Sequence, residues 1–230
     1  MPRKAAWCDL SDCFACTIRD SALFSGLREA DLAVVHGAIE EIPLRPGHWL
    51  YRGGQAADSV FTVRGGLVKL VQYLPNGDHR IVRIARSSDV LGLEATLRQP
   101  YQHDAIVVQA GLACRIPIEV LDELNARNPA LHQELMRRWQ SALSEAEAWL
   151  TELSTGSARH RVIRLVLRLS DEQGRGSAPL FSRKDMGAML GVTTESASRA
   201  VAELKRAGLL GEDARGFWCD RQALEQRVTD

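Results

Sequence analysis

The run SRKDMGAMLGVTTESASRAVAEL, Ser182–Leu204, holds two helix starts with one helix stop between them. Ser182-Arg183-Lys184-Asp185 is a capping-box pattern, in which a Ser hydroxyl accepts from a free amide of the first turn and an acid stands three residues on. Met186, Ala188, Met189 and Leu190 supply an apolar face, and Gly191 sits where a helix ends in a left-handed residue. Thr193 or Thr194 caps a second helix whose positions Ala197, Val201 and Leu204 fall on one side. Glu195, Ser198 and Arg199 fall on another side, near its start. Two short helices crossing on small residues, with polar groups at the front of the second, predict a helix-turn-helix whose second helix enters a DNA major groove. Arg donates to guanine, Glu accepts from the cytosine amine, and Ser serves either role. Thr194 lies beside them, and Arg183, Lys184, Lys205 and Arg206 are the expected phosphate contacts. Gly208-Leu209-Leu210 and Gly216-Phe217-Trp218-Cys219 flank Glu212-Asp213-Ala214-Arg215 and read as the hairpin of a wing. A plain helical hairpin with a charged face lacks this order of cap, glycine, polar triplet and wing.

Working back along the chain, Val162, Leu165, Val166 and Leu169 predict a further helix, followed by a loop over 171–177. Before it, Leu131, Leu135, Trp139, Ala142, Ala146, Trp149 and Leu153 step by three and four, starting after Asn128-Pro129. This stripe predicts a long helix pairing with a second copy; packing on its own domain is the alternative. Residues 43–120 change to strands and glycine corners. His48 to Tyr51, Ser59 to Val63, Leu67 to Tyr73, Arg80 to Ile84, Ala105 to Val108 and Leu112 to Ile116 read as separate strands, with Asn76-Gly77 as a type I′ hairpin turn. Leu27, Leu32, Val35 and Ile39 predict one or two short helices over 21–42. The fold expected is α+β: a cysteine-rich arm (1–20), a β-roll sensor domain (21–128), a dimerisation helix (129–156) and a winged helix-turn-helix (157–230).

The chain has 230 residues and no net formal charge, so a nucleic-acid partner must be met by locally placed cations. No apolar run follows the basic residues of the N-terminus, and no stretch is long enough to span a membrane, so a cytoplasmic protein is expected, with no membrane partner. Thiols stay reduced there, and five cysteines suggest metal binding or reactivity before disulfides. Cys13-Phe14-Ala15-Cys16 is a CxxC, yet nothing βαβ-like surrounds it as in a thiol redox enzyme, and no nucleophilic triad, phosphate loop or carboxylate pair appears. The expectation is a regulator, not an enzyme.

The helix-turn-helix run, above all Thr194-Glu195-Ser196-Ala197-Ser198-Arg199, resembles the recognition helix of the CRP/FNR transcription regulators, on the FNR side. The resemblance extends over nearly the whole chain: Pro46-Gly47 and Val63-x-Gly65-Gly66 look like turns of a cyclic-nucleotide-binding-type β-roll. It implies a homodimer on double-stranded DNA, half-sites of the TTGAT type read by Glu195, Ser198 and Arg199, and RNA polymerase as a partner. The CRP branch holds cyclic AMP with a Gly-Glu-Leu turn and an Arg-Ser or Arg-Thr pair. Here the stretch is Leu91-Gly92-Leu93-Glu94 followed by His103-Asp104, without the phosphate-holding Arg, so cyclic AMP is not expected.

The cysteines suggest another signal. Cys8, Cys13 and Cys16 stand in the arm, and Cys114 lies in Leu112–Pro117, similar to the FNR segment that carries the distant cluster ligand. Alone, Cys114 reads as a small buried hydrophobe; with the resemblance, the four imply a four-iron–four-sulfur cluster that senses oxygen or redox state. The arm departs from the FNR pattern. Ala22, Leu23 and Phe24 stand where a third arm cysteine belongs, and Cys8 precedes the CxxC instead. Zinc, a metal-free thiol switch, or haem on His36, His48, His79 or His103 are the other readings. Cys219 is expected to be structural.

Overall fold

The computed structural model describes residues 9–10, 23–24, 38–170, 177–178, 181–213 and 216–228. Cys8, Cys13, Cys16, His36 and most of the helical segment expected over 21–42 lie outside them. The chain divides into two compact units, Met1–Gln72 with Val82–Ser144, and Tyr73–Ile81 with Glu145–Asp230.

The first unit is an antiparallel β-roll. Its strands are β1 (Asp9–Leu10), β2 (Glu40–Leu44), β3 (Trp49–Tyr51), β4 (Ser59–Tyr73), β5 (His79–Ala85), β6 (Val90–Leu91) and β7 (Asp104–Pro117). The sheet order is β1-β2-β7-β4-β5, with β3 also on β7 and β6 also on β4. Two expected strand pairs are each one long strand. β4 runs unbroken through Gly65-Gly66, and β7 runs through Gly111. The glycines bend these strands instead of ending them. A Cβ on Gly111 would stand 2.0 Å from the Gly65 carbonyl oxygen, and one on Gly66 2.5 Å from that of Gln109. The two backbones cross where no side chain fits, and the register shifts between Val63 and Val68.

The hairpin at Asn76-Gly77 forms, but with a longer loop than the I′ turn. Gly77 N–H donates to the Leu74 carbonyl and Leu74 N–H to that of Asp78. Only Gly77 has positive φ there (85°). Pro75 fixes the first central residue of an ordinary turn, and the left-handed Gly77 follows as a bulge.

Inside the roll, Tyr51, Phe61 and Tyr101 pack with Val63, Val68, Leu91 and Val107. A second core lies where α1 (Ile118–Arg127) and the front of α2 (Pro129–Ala148) meet the sheet. It joins Val60 and Ile116 to Leu121, Leu124, Leu131 and Leu135, with Leu23 and Phe24 in the same cluster. Asn128 accepts from Ala130 N–H through its side chain, and Pro129 needs no amide partner in the first turn, so α2 starts there.

The stripe read as the pairing face is buried within the chain at its two ends but not between them, where Ala142 is half-buried and Ala146 exposed. Leu131 and Leu135 are 2% and 5% exposed, and Trp149 and Leu153, in a π-turn that continues the helix, are 7% and 1% exposed. Trp139 packs on the same core as Leu131. A three-four spacing identifies an apolar face without naming what covers it. The helix carries a second apolar row, Met136, Leu143 and Leu150, and all three are exposed.

The second unit holds α3 (Ala158–Leu169), β8 (Ser177–Ala178), α4 (Arg183–Leu190), α5 (Thr194–Arg206), β9 (Leu210–Asp213), β10 (Gly216–Cys219) and α6 (Arg221–Gln226). The sheet order β8-β10-β9 gives the wing a third strand in a segment read as loop. Val162, Val166, Met186, Leu190, Val201, Leu204, Phe217 and Leu224 are buried here. The Asp220 side chain caps α6, a helix the apolar pattern did not announce.

Candidate nucleic-acid interface and sensor cysteines

The start of α4 follows from Ser182, whose hydroxyl accepts from Asp185 N–H at 3.0 Å. Gly191 ends it with φ 65°. Gly187 allows the close turn, since a Cβ there would stand 2.7 Å from the Val192 carbonyl oxygen. Thr193 is the cap of α5, accepting from Ser196 N–H at 3.2 Å. Ala197, Ala200, Val201 and Leu204 bury one face of α5, which leaves Thr194, Glu195, Ser198 and Arg199 exposed on the other. The structure thus brings the polar triplet together at the free front of one helix.

Its charges are organised. Glu195 is held below the ordinary carboxylate range by a backbone amide at the helix start, then by the Thr193 hydroxyl, with the Arg199 charge adding to both. Arg199 donates to the Ser196 hydroxyl at 3.4 Å. A carboxylate acceptor and a permanent donor therefore stand one helical turn apart on the exposed face of α5.

The flanking cations divide into two kinds. Lys184 and Arg206 are exposed. Arg183 is turned inward: it donates to Glu212 at 2.6 Å and lies over the Phe217 ring, 5.2 Å from its centroid. Lys205 meets the same carboxylate at 2.9 Å. Glu212 of β9 thus ties α4 and α5 to the wing, and both cations hold its carboxyl below the usual range, Lys205 most. Sequence reading took Glu212 as a turn residue; nothing in its neighbourhood along the chain signals the pairing.

In the roll, Cys114 is half-buried on β7 and packs against the core that contains Leu23 and Phe24. The register sets Cys114 opposite Glu41 of β2, and Glu41 opposite Asp9 of β1. Asp9 immediately follows Cys8 in sequence, so the backbone beside Cys8 lies two strands from Cys114, roughly 10 Å at the usual strand spacing. Cys13 and Cys16 fall between the two anchored points of the arm, Leu10 and Leu23. Among the described residues, no group of three or more His, Cys, Asp or Glu stands together as a metal site. Cys219 is buried, and burial pushes its thiol up.

Tyr101 stands against the turn at Gly92 and also lines a cavity of about 580 Å³ with Tyr51, Phe61 and Arg115. Gly92 is left-handed, and a Cβ there would stand 2.9 Å from the Tyr101 ring. Asp104 accepts from Gly53 N–H at 2.8 Å and from the Trp49 indole at 3.0 Å. His103 is half-buried, and burial holds its imidazole below the ordinary value. His48 is exposed and His79 partly so. None of the described helices is long and apolar enough to cross a membrane.

Comparison with known proteins agrees with both halves. Residues 41–128 match the cyclic nucleotide-binding domain, and 160–227 match the Crp-like helix-turn-helix domain. The chain is 28% identical over 205 residues to electron transport regulator A of Shewanella oneidensis, across 86% of this chain and 82% of that one. It is 27% identical over 205 residues to the fumarate and nitrate reduction regulatory protein of Escherichia coli, with the same coverage. Among solved structures, FixK2 from Bradyrhizobium japonicum is similar with a TM-score of 0.72 and 26% identity, over 82% of this chain and 96% of that one. A β-roll, a long helix, a winged helix-turn-helix and these relatives agree on one conclusion: the chain belongs to the CRP/FNR family of transcription regulators.

Proposed function

We propose that this regulator binds palindromes with TTGAT-like half-sites as a homodimer, working with RNA polymerase, and that an iron–sulfur cluster on Cys8, Cys13, Cys16 and Cys114 makes it respond to oxygen or redox state. The observation that carries the DNA reading is the exposed triplet Glu195, Ser198 and Arg199 at the capped front of α5. Titrating the palindrome and a scrambled duplex of equal length tests it. A preference of at least a thousandfold for the palindrome is expected, as specific sites show over random DNA. Equal affinities overturn it.

The cluster reading is supported by the register that carries the backbone next to Cys8 toward Cys114, and by Leu23 and Phe24 in the core on which Cys114 packs. A donor set of four thiolates suits iron–sulfur ligation, one to each iron. When bound, such a group supplies oxygen-sensitive one-electron chemistry, and the chain's part is to hold it and to limit solvent around Cys114. An anaerobic absorption spectrum with iron and sulfide analysis tests this; about one cluster per chain is expected. Cysteine-to-serine variants at the four positions are expected to lose iron. Zinc without iron in the anaerobic protein overturns the cluster and leaves the DNA reading standing.

Cyclic AMP has no place in the proposal. The Tyr101 ring packs on the Gly92 turn, and Asp104 stands where a phosphate clamp needs a cation. Dimerisation is assigned to Met136, Leu143 and Leu150, exposed and recurring at one heptad position along α2 and the π-turn that continues it.

A further inference from the structure

We propose that Ser196 is a positioning residue for base reading: its hydroxyl, joined to that of Thr193, fixes Arg199 in the orientation in which it meets the bases. The inference rests on the reading of Arg199 as a base-contacting residue and goes one step beyond it.

Four groups form the chain of contacts. Arg199 donates to Ser196 Oγ at 3.4 Å. Ser196 Oγ and Thr193 Oγ1 lie 3.1 Å apart. A guanidinium can donate but not accept. Thr193 O–H donates to Ser196 Oγ, which therefore accepts from both Thr193 and Arg199. Ser196 Oγ is the shared acceptor that joins the Arg199 guanidinium to the cap residue Thr193, whose side chain also neighbours the Glu195 carboxylate. The Arg199 link is charge-assisted, and the hydroxyl–hydroxyl link between Ser196 and Thr193 is neutral.

The geometry has a consequence for recognition. An exposed Arg side chain loses rotamer freedom when it is fixed on a base. A hydroxyl that already restrains the guanidinium removes part of that loss before DNA arrives. Because the restraint acts on Arg199, it favours the correct base edge over phosphate, which any cation reaches without orientation. Ser196 is half-buried and its backbone N–H caps onto Thr193 regardless of its side chain, so the helix start survives removal of the hydroxyl.

The experiment is a cycle of Ser196→Ala, Ser196→Thr, Arg199→Ala and the double variant Ser196→Ala/Arg199→Ala in the full-length dimer. Each is titrated on the palindrome and on the scrambled duplex, with thermal unfolding alongside. Ser196→Ala is expected to lower the ratio of the two affinities by about three- to tenfold, as loss of one hydrogen bond does, with an unchanged unfolding midpoint. Ser196→Thr, which keeps the hydroxyl, restores the ratio. In the Arg199→Ala background, Ser196→Ala adds no further loss. The inference is overturned if Ser196→Ala costs the same factor in both backgrounds, or weakens both duplexes alike as a phosphate contact does; the DNA reading then still stands. If Arg199→Ala itself leaves the ratio unchanged, the base-reading assignment falls and this inference with it.

Discussion

Under the proposed DNA reading, Arg199 is the residue at which specific and general binding should separate. Its guanidinium stands exposed at the front of α5 and is not used to hold the fold together, so its removal acts on recognition. A good base contact discriminates by roughly 1–3 kcal/mol, and Arg199→Ala is expected to weaken the palindrome by about ten- to a hundredfold while leaving the scrambled duplex nearly unchanged. Parallel titrations check this, and equal losses on both duplexes would recast Arg199 as a phosphate contact. Lys184→Ala is the opposite case: exposed beside the helix start, it should weaken both duplexes alike and reduce the salt slope by about one. Cys219 makes a contrast of another kind. Burial pushes its thiol up, with Arg221 and the Ser170 hydrogen bond only partly offsetting it, so the thiol stays protonated at neutral pH. Iodoacetamide should label it slowly in the native protein and rapidly after unfolding, as read by mass spectrometry, and Cys219→Ser should retain iron. The local frame around these residues was legible because its chemistry is local. Caps, a glycine stop and a polar triplet act within a few positions of one another, and Ser182, Gly191 and Thr193 behave as their neighbours in sequence demand.

The elements were less legible where distant backbone decides. Gly65-Gly66 and Gly111 carry the same local signal as the glycines of true turns, and the difference lies in what crosses them. Reading each as a corner cut β4 and β7 in two, because the close approach of Gly111 to the Gly65 carbonyl joins positions more than forty residues apart. Glu212 was missed for the same reason: its partners come from α4 and α5, and its worth is set by their convergence. That convergence makes a prediction in two directions. The Glu212 carboxyl is depressed below its ordinary value near 4.5, Lys205 first and Arg183 second. A depressed folded value means stability that is present above about pH 4.5 and lost as pH falls through the folded value. Glu212→Gln should therefore lower the unfolding midpoint at neutral pH, by an amount worth about 1 kcal/mol or less for a partly exposed pair, and the deficit should close in acid. The same change releases Arg183 and Lys205 from their carboxylate. Affinity for the scrambled duplex should rise and its salt dependence steepen, because two more cations are free for phosphate. A variant that is less stable yet binds random DNA more tightly is hard to obtain by damage alone, so the paired readout isolates the element's role.

For the molecule as a whole, under the proposed homodimer, the question is which residues of α2 meet the partner; the ends of the stripe read from the sequence are buried within the chain, while Ala146 in its middle stays exposed. Leu131, Leu135, Trp149 and Leu153 make the more conspicuous row, with two rings of helical spacing and a tryptophan, yet the chain buries them itself. The row left outside is Met136, Leu143 and Leu150, 50%, 54% and 68% exposed at intervals of seven. Exposed apolar side chains in heptad register are costly to leave in water and suited to a second copy of the same helix. The two rows therefore predict opposite phenotypes. Leu135→Ala removes buried contacts and should cost about 2–5 kcal/mol of folding stability, whatever the protein concentration. Leu143 lies outside the buried core at 54% exposure, so with Leu143→Glu circular dichroism of the dilute protein should keep its shape, while sedimentation equilibrium should move from dimer to monomer. DNA binding then follows from the symmetry. A palindrome offers two half-sites about one helical turn apart, and a dimer engages the second at a high effective concentration that a monomer lacks. Leu143→Glu should weaken the palindrome by roughly a hundredfold or more while a single half-site duplex is bound as before. Should Leu143→Glu remain a dimer with full affinity for the palindrome, the pairing face lies elsewhere on the chain, and Leu150→Glu on the same row would be expected to be silent as well.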